Sequence, residues 1–301
     1  MTSTLDAPRT APRPAGVKRP PRASRLRGTL LGSVLTYLAL CLLAAVCLIP
    51  FYMLLRNALM TTPEVTSTDW QWLPGALHWE NFTGLFDNPE RPFGRSLMNS
   101  LIIAVVTAPV ATLFASMAGY ALARIAVPGR AVVLALIVGT LMIPQAVTFL
   151  PTFVVVGSMG GVNTMWGLIA PGLFNAFAVV LFRSFYLSFP AEIEEAGRLD
   201  GLSHLGVYRR LILPNSTTMI ASLGALSFID AWNSFLWPLM IGQDPNSWTV
   251  QIALSSFLTS QTVDLPELFA GTVVAILPLV IMFLVAQRHI VQGIAMSGLK
   301  S

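Results

Sequence analysis

The chain has 301 residues, 54% hydrophobic and 11% charged, with a formal net charge of +4 and a mean hydropathy of +0.70. Apolar runs of about 20 residues, the length that crosses a bilayer, recur along it. This excludes a soluble domain, whose apolar residues come in shorter periodic segments. No Gly-x-x-x-x-Gly-Lys-Ser/Thr phosphate loop occurs, and the two Cys and three His match no zinc spacing, so neither ATP hydrolysis through such a loop nor a zinc centre is expected.

Residues 1–28 carry seven Lys/Arg against one Asp and are rich in Pro and Ala, too poor in apolar surface to fold alone. A basic stretch directly before a span is a topology signal and a contact for anionic lipid, and no nucleic-acid partner is expected. Six spans follow, at about 30–55, 98–122, 131–151, 162–186, 216–241 and 268–288. The first is longer than the core of a signal peptide, about 7 to 15 residues, and reads as uncleaved, with the bulky Val46 arguing against lipoprotein processing at Cys47. Cys41 and Cys47 lie about 9 Å apart along such a helix, too far for a disulfide. Pro109 and Pro144 fall inside runs and mark expected kinks. Alternate connections collect fifteen Lys/Arg on one side and three on the other, which makes the richer side cytoplasmic, puts both termini there and makes the span number even. Trp70, Trp72, Trp79 and Trp248 then fall in external loops, fit for the outer interface.

Between spans four and five, Glu194 to Gly201 reads EEAGRLDG, five ionisable residues in eight positions. The surrounding 190–214 segment predicts a helix, a turn and a helix. Pro190 suits a first turn, Glu192, Glu194 and Glu195 suit the positive end of the dipole, Gly201 fits the left-handed position that stops a helix, Ser203 fits a second cap and Pro214 closes the second helix. Ile193, Ala196 and Gly197 share one side of the first helix, where small residues let another surface approach; Leu205, Tyr208 and Leu211 or Ile212 repeat the spacing on the second. A solvated loop whose charges keep it out of the membrane is the alternative reading.

Glu195-Ala196-Gly197, three residues, Gly201, nine residues, then Leu211-Ile212-Leu213-Pro214 resembles the EAA signature of the membrane permeases of binding-protein-dependent ABC importers. The usual form has Ala where Gly197 stands and Ile where Leu211 stands. Asp200-Gly201 and Tyr208 match the carbohydrate branch, and Phe228 to Gly242 (FIDAWNSFLWPLMIG) is similar to a segment of the maltose and glycerol-3-phosphate type permeases. The ending, with Gln292-Gly293 and Gly298-Leu299-Lys300, resembles that of the shorter of the two permeases. The resemblance implies an all-α integral membrane protein: a six-helix permease domain over 29–290, with a cytoplasmic helix-turn-helix coupling segment over 190–214 and a cytoplasmic tail over 291–301. It implies a non-enzymatic sugar-import subunit of a bacterial inner membrane, working with a second permease, two copies of an ATPase and an external binding protein. The ATPase uses ATP and magnesium, and this chain binds no cofactor. It also assigns ATPase coupling to Glu195, Ala196, Gly197, Asp200, Gly201, Leu213 and Pro214, and a second ATPase contact to Gln292, Gly293, Gly298 and Lys300.

Asp230 is the only acid inside the six runs, and an intramembrane ionisable residue points to function. Ser227, Asp230 and Ser234 share a stripe on span five beside Trp232 and Asn233. Two readings stand side by side: a solute pathway that hydrogen-bonds hydroxyls and stacks a sugar face, and a polar lock between helices. Gln145, Thr148 and Asn175 are weaker candidates, read mainly as packing residues. An ion-coupled transporter, which needs a carboxylate or His relay and often shows inverted repeats, and a passive channel are the alternative functions; a membrane-embedded hydrolase lacks His at membrane depth, since His78, His204 and His289 fall in loops or at a span edge.

Overall fold

The computed structural model describes residues 30–126, 128–258 and 264–298. It divides into two units, 1–49 and 50–301. The first, as far as described, is the opening part of α1 (Leu30–Ala58), an apolar stretch holding both free cysteines.

In the second unit, two short helices, α2 (Thr62–Thr66) and α3 (Glu80–Asp87), follow the end of α1. Thr61 opens α2 with its backbone N–H and hydroxyl on Glu64; these bonds, the backbone one first, hold the Glu64 carboxyl below the usual carboxylate range. The long helix α4 (Phe93–Arg124) comes next, then α5 (Arg130–Leu141) and α6 (Gln145–Ser158). After α7 (Met165–Ile169) and a 3₁₀ turn at Ala170–Leu173 comes α8 (Ala176–Leu187). A hairpin of α9 (Ala191–Leu199) and α10 (His204–Val207) continues through a π-helical turn, Tyr208–Ile212, into α11 (Leu213–Asn215). The chain closes with α12 (Thr217–Asn233), α13 (Leu236–Ile241), α14 (Val250–Ser255) and α15 (Leu265–Gly298).

Among the described residues, four helical stretches are long and apolar enough to span a bilayer: Gly32–Ala58, Phe93–Arg124, Met165–Leu187 and Leu265–Arg288. Counting each of two bent pairs, Arg130–Leu141 with Gln145–Ser158 and His204–Asn215 with Thr217–Asn233, as one span brings the number to six. The first pair bends by 104° between Leu141 and Gln145, with Pro144 at the start of its second helix, a sharper change than the expected kink. Pro109, by contrast, sits within an unbroken α4, as neighbouring helices permit. The predicted fifth span, 216–241, is interrupted after Asn233, where Ser234 turns extended before α13. The predicted fourth is broken by the 3₁₀ turn holding Pro171 and Gly172.

α4 is the axis of the unit, packed against α12 and α8, while α15 covers α12. Small residues decide this. At Gly119 a Cβ would stand 2.6 Å from Phe182 Cβ and 2.9 Å from the Arg183 backbone nitrogen, so α4 and α8 cross where no side chain fits. At the N-terminal end of α4, Asn99 donates to the carbonyls of Asn246 and Trp248, both at 2.9 Å, and the Ser100 hydroxyl accepts from Val250 N–H at 2.8 Å. Trp70, expected at an interface, lies under the Arg56 guanidinium at 4.5 Å and meets Trp72 edge-on.

Candidate functional site

The hairpin lies at the C-terminal end of α4. Gly201 takes φ +80°, the left-handed turn expected between the two helices, and the Ser203 side chain caps α10 by accepting from Gly206 N–H at 3.2 Å. Pro214 lacks the N–H that an α-helical turn would use, and the turn before it widens to π geometry, with Leu213 N–H reaching the Tyr208 carbonyl.

Adjacent glutamates point opposite ways. Glu194 is 5% exposed and lies 3.3 Å from Arg124 and 3.9 Å from Arg198, whereas Glu195 faces outward. Arg124, the last residue of α4, also donates to the carbonyls of Tyr186 and Phe189 at the end of α8. About two turns back along α4, the Ser116 hydroxyl lies 2.6 Å from that of Tyr186 and 2.9 Å from that of Tyr208. The hairpin is thereby bonded to two long helices through buried polar contacts.

Gly197 is buried, and a Cβ there would stand 2.6 Å from Leu211 Cδ1, so its smallness lets the hairpin close on itself. Ala196 remains exposed. The two positions departing from the usual EAA form thus touch: the Leu211 methyl occupies the space a second alanine would take. Of the residues that share a spacing on the second helix, Leu205 is 64% exposed, while Tyr208 and Ile212 are buried. Glu192, Ile193, Ala196, Gly197, Asp200, Leu202 and Leu211 bound a shallow concavity of about 370 Å³ on this hairpin.

The second feature is an open-sided cavity of about 1100 Å³. It forms where three helical runs are interrupted: the α5–α6 bend brings Gln145 and Thr148, the α7–α8 break brings Gly172 and Asn175, and the end of α12 brings Asn233 and Ser234. Backbone broken at membrane depth is tolerated where it is buried in protein or lines a cavity. Asn175 accepts from Ala178 N–H at 2.9 Å and so caps α8. Gln145, Thr148 and Asn175, read from the sequence mainly as packing residues, line the cavity.

Ser227, Asp230, Asn233 and Ser234 line the same space. Trp232 does not: it is 1% exposed and donates through Nε1 to the Ala275 carbonyl of α15 at 3.2 Å. On a helix it points away from Asp230, and it anchors α12 to α15. The aromatic residues at the cavity are Phe149, Phe174, Phe235 and Trp237; Phe149 and Trp237 meet edge to face with centroids 5.9 Å apart, and the Trp237 indole donates to the Gly167 carbonyl at 3.0 Å. Composition alone gave no reason to prefer Trp237 over Trp232, although both stand in the quoted FIDAWNSFLWPLMIG; the break after Asn233 makes the difference. Among the described residues the Asp230 carboxylate has no hydrogen-bond or ion-pair partner.

Of the C-terminal candidates, Gln292, Gly293 and Gly298 continue α15 instead of leaving it as a separate tail, and Lys300 lies outside the described residues, as does the basic 1–28 segment. No group of three His, Cys, Asp or Glu fit to hold a metal occurs among the described residues.

Residues 90–296 match the binding-protein-dependent transport system inner membrane component family. The chain belongs to that family. Membership displaces the ion-coupled and channel alternatives. The permease is 34% identical over 230 residues to the arabinooligosaccharides transport system permease protein AraQ of Halalkalibacterium halodurans, covering 75% of this chain and 81% of that one. It is 30% identical over 253 residues to the sn-glycerol-3-phosphate transport system permease protein UgpE of Pectobacterium atrosepticum, covering 82% and 90%. Its fold is shared with a solved bacterial ABC transporter described as involved in the import of the acidic polysaccharide alginate: TM-score 0.72, 21% identity, 86% of this chain and 96% of that one.

Proposed function

We propose that this permease is the shorter of two membrane subunits of an ATP-driven importer of sugars or sugar-like solutes, and that its hairpin is where a partner ATPase drives it. Two ATPase copies hydrolyse ATP with magnesium on the cytoplasmic side, where both termini of this chain lie, and an external binding protein delivers the solute. The names of the relatives support the solute class, and the asymmetry of Lys and Arg supports the orientation.

The observation that carries the reading is the split between the two glutamates: Glu194 ties the hairpin to α4 and α8, leaving Glu195 outward beside a concavity with an apolar floor and acidic edge. Glu195, Ala196 and Asp200 contact the ATPase, Gly197 and Gly201 shape the hairpin, and Leu213-Pro214 joins it to the next span. A hairpin bonded to two spans transmits a displacement to them as a body. The end of α15, with Gln292, Gly293 and Gly298, and Lys300 beyond, makes a second contact. Ser227, Asp230, Asn233 and Ser234 line the solute path: a lock between helices requires a partner for Asp230, and it has none among the described residues.

Affinity purification of the tagged permease from its native membrane tests this. A second permease, an ATPase and a binding protein carrying a sugar are expected to come down together; recovery of the permease in functional form without an ATPase would contradict the proposal.

A further inference from the structure

We infer that the cavity sorts solutes by charge, admitting uncharged hydroxyl-rich molecules and holding back anions. The inference rests on reading the cavity as the solute path. The relatives do not decide it, since their names include uncharged arabinooligosaccharides as well as two anions, a glycerol phosphate and an acidic polysaccharide; the lining does. Asp230 is the one ionisable side chain among the described residues around the cavity, and no Lys, Arg or His faces it. Its carboxylate is not neutralised by a neighbour.

Helix ends also carry charge, roughly half a unit each. The N-termini of α6, α8 and α13 and the C-terminal ends of α12 and of the α7–3₁₀ run meet at the cavity. The α8 end is already capped by the Asn175 oxygen. The other two N-termini and the two C-terminal ends offset one another. What remains is the Asp230 carboxylate. An anion entering here would leave water for a site without a cation, a costly transfer.

Hydroxyls meet the opposite situation. A carboxylate accepts strongly from O–H donors, and Gln145, Asn233 and Ser234 add neutral groups that both donate and accept. Thr148 spends its hydroxyl proton on the Gln145 carbonyl at 3.0 Å and keeps its lone pairs to accept. The Trp237 ring, fixed by its bond to Gly167, and Phe149 supply a rigid apolar wall against which the C–H face of a sugar ring can lie.

The test needs no knowledge of the natural solute. In the purified complex, with Cys41→Ala and Cys47→Ala, a Ser234→Cys substitution places one thiol at the cavity. Its modification rate is measured with three methanethiosulfonates, hydroxyethyl (neutral), trimethylammonium-ethyl (cationic) and sulfonatoethyl (anionic), each divided by its rate on a free thiol. The anionic reagent is expected to lag the other two on the order of tenfold, with the lag lost in Asp230→Asn and kept in Asp230→Glu. Equal rates for all three, or a lag unaffected by Asp230→Asn, would overturn the charge sorting and leave the path intact. If no reagent reacts, the cavity is closed to water, and the path reading falls together with the inference.

Discussion

The two ends of the polar machinery in this permease differ in how completely their polar groups are paired. At the hairpin, Glu194 is ion-paired with Arg124, and Ser116 bonds both Tyr186 and Tyr208, across three segments of chain, with Glu194 Oε1 and the nearby Tyr120 hydroxyl the buried atoms left without a hydrogen bond. At the cavity, Asp230 has no partner among the described residues, and Asn233 shares only a 3.4 Å contact with Gln251. Buried polar groups are costly unless bonded, and a fully bonded network holds one geometry. The paired end is therefore suited to carry force, and the unpaired end to exchange its hydrogen bonds with a passing molecule.

Substitutions sort along that contrast. Gly119→Leu strikes the α4–α8 crossing on which the paired end is built; its side chain has no space, and no folded permease should be recovered by size exclusion in detergent. Glu194→Gln leaves Arg124 and Arg198 without their counter-charge and should cost about 3 kcal/mol, read as a lowered melting midpoint. Gly197→Ala should cost about 1 kcal/mol by pressing on Leu211, and Leu211→Ile should restore part of it, a coupling that a double-mutant cycle measures. Asp230→Asn should alter stability by less than about 0.5 kcal/mol while changing uptake. A loss as large as that of Glu194→Gln would make Asp230 a lock and erase the contrast.

Much of the hairpin was legible in the sequence because its signals are local: Gly201 at a left-handed turn, Ser203 at a cap, carboxylates in a first turn. Which glutamate turns inward was not, because that depends on Arg124, seventy residues earlier in the chain. The stripe Ser227, Asp230, Ser234 was legible from helical period, and it does face one cavity. Trp232 was misplaced beside it, since two residues along a helix turn the side chain about 200° around the axis from Asp230, here toward α15. Gln145, Thr148 and Asn175 lacked a periodic signal, because what gathers them is three breaks in different helices. Composition located the spans well and their interruptions poorly: Pro144 breaks its helix and Pro109 does not.

The measurement closest to the central claim uses Glu195→Lys in the complete importer reconstituted in lipid vesicles, with solute-stimulated ATP hydrolysis and uptake followed in the same preparation. Glu195 is exposed and outside the internal network, so the account predicts an unchanged melting midpoint and loss of both activities. Unchanged uptake with stimulated hydrolysis would contradict it.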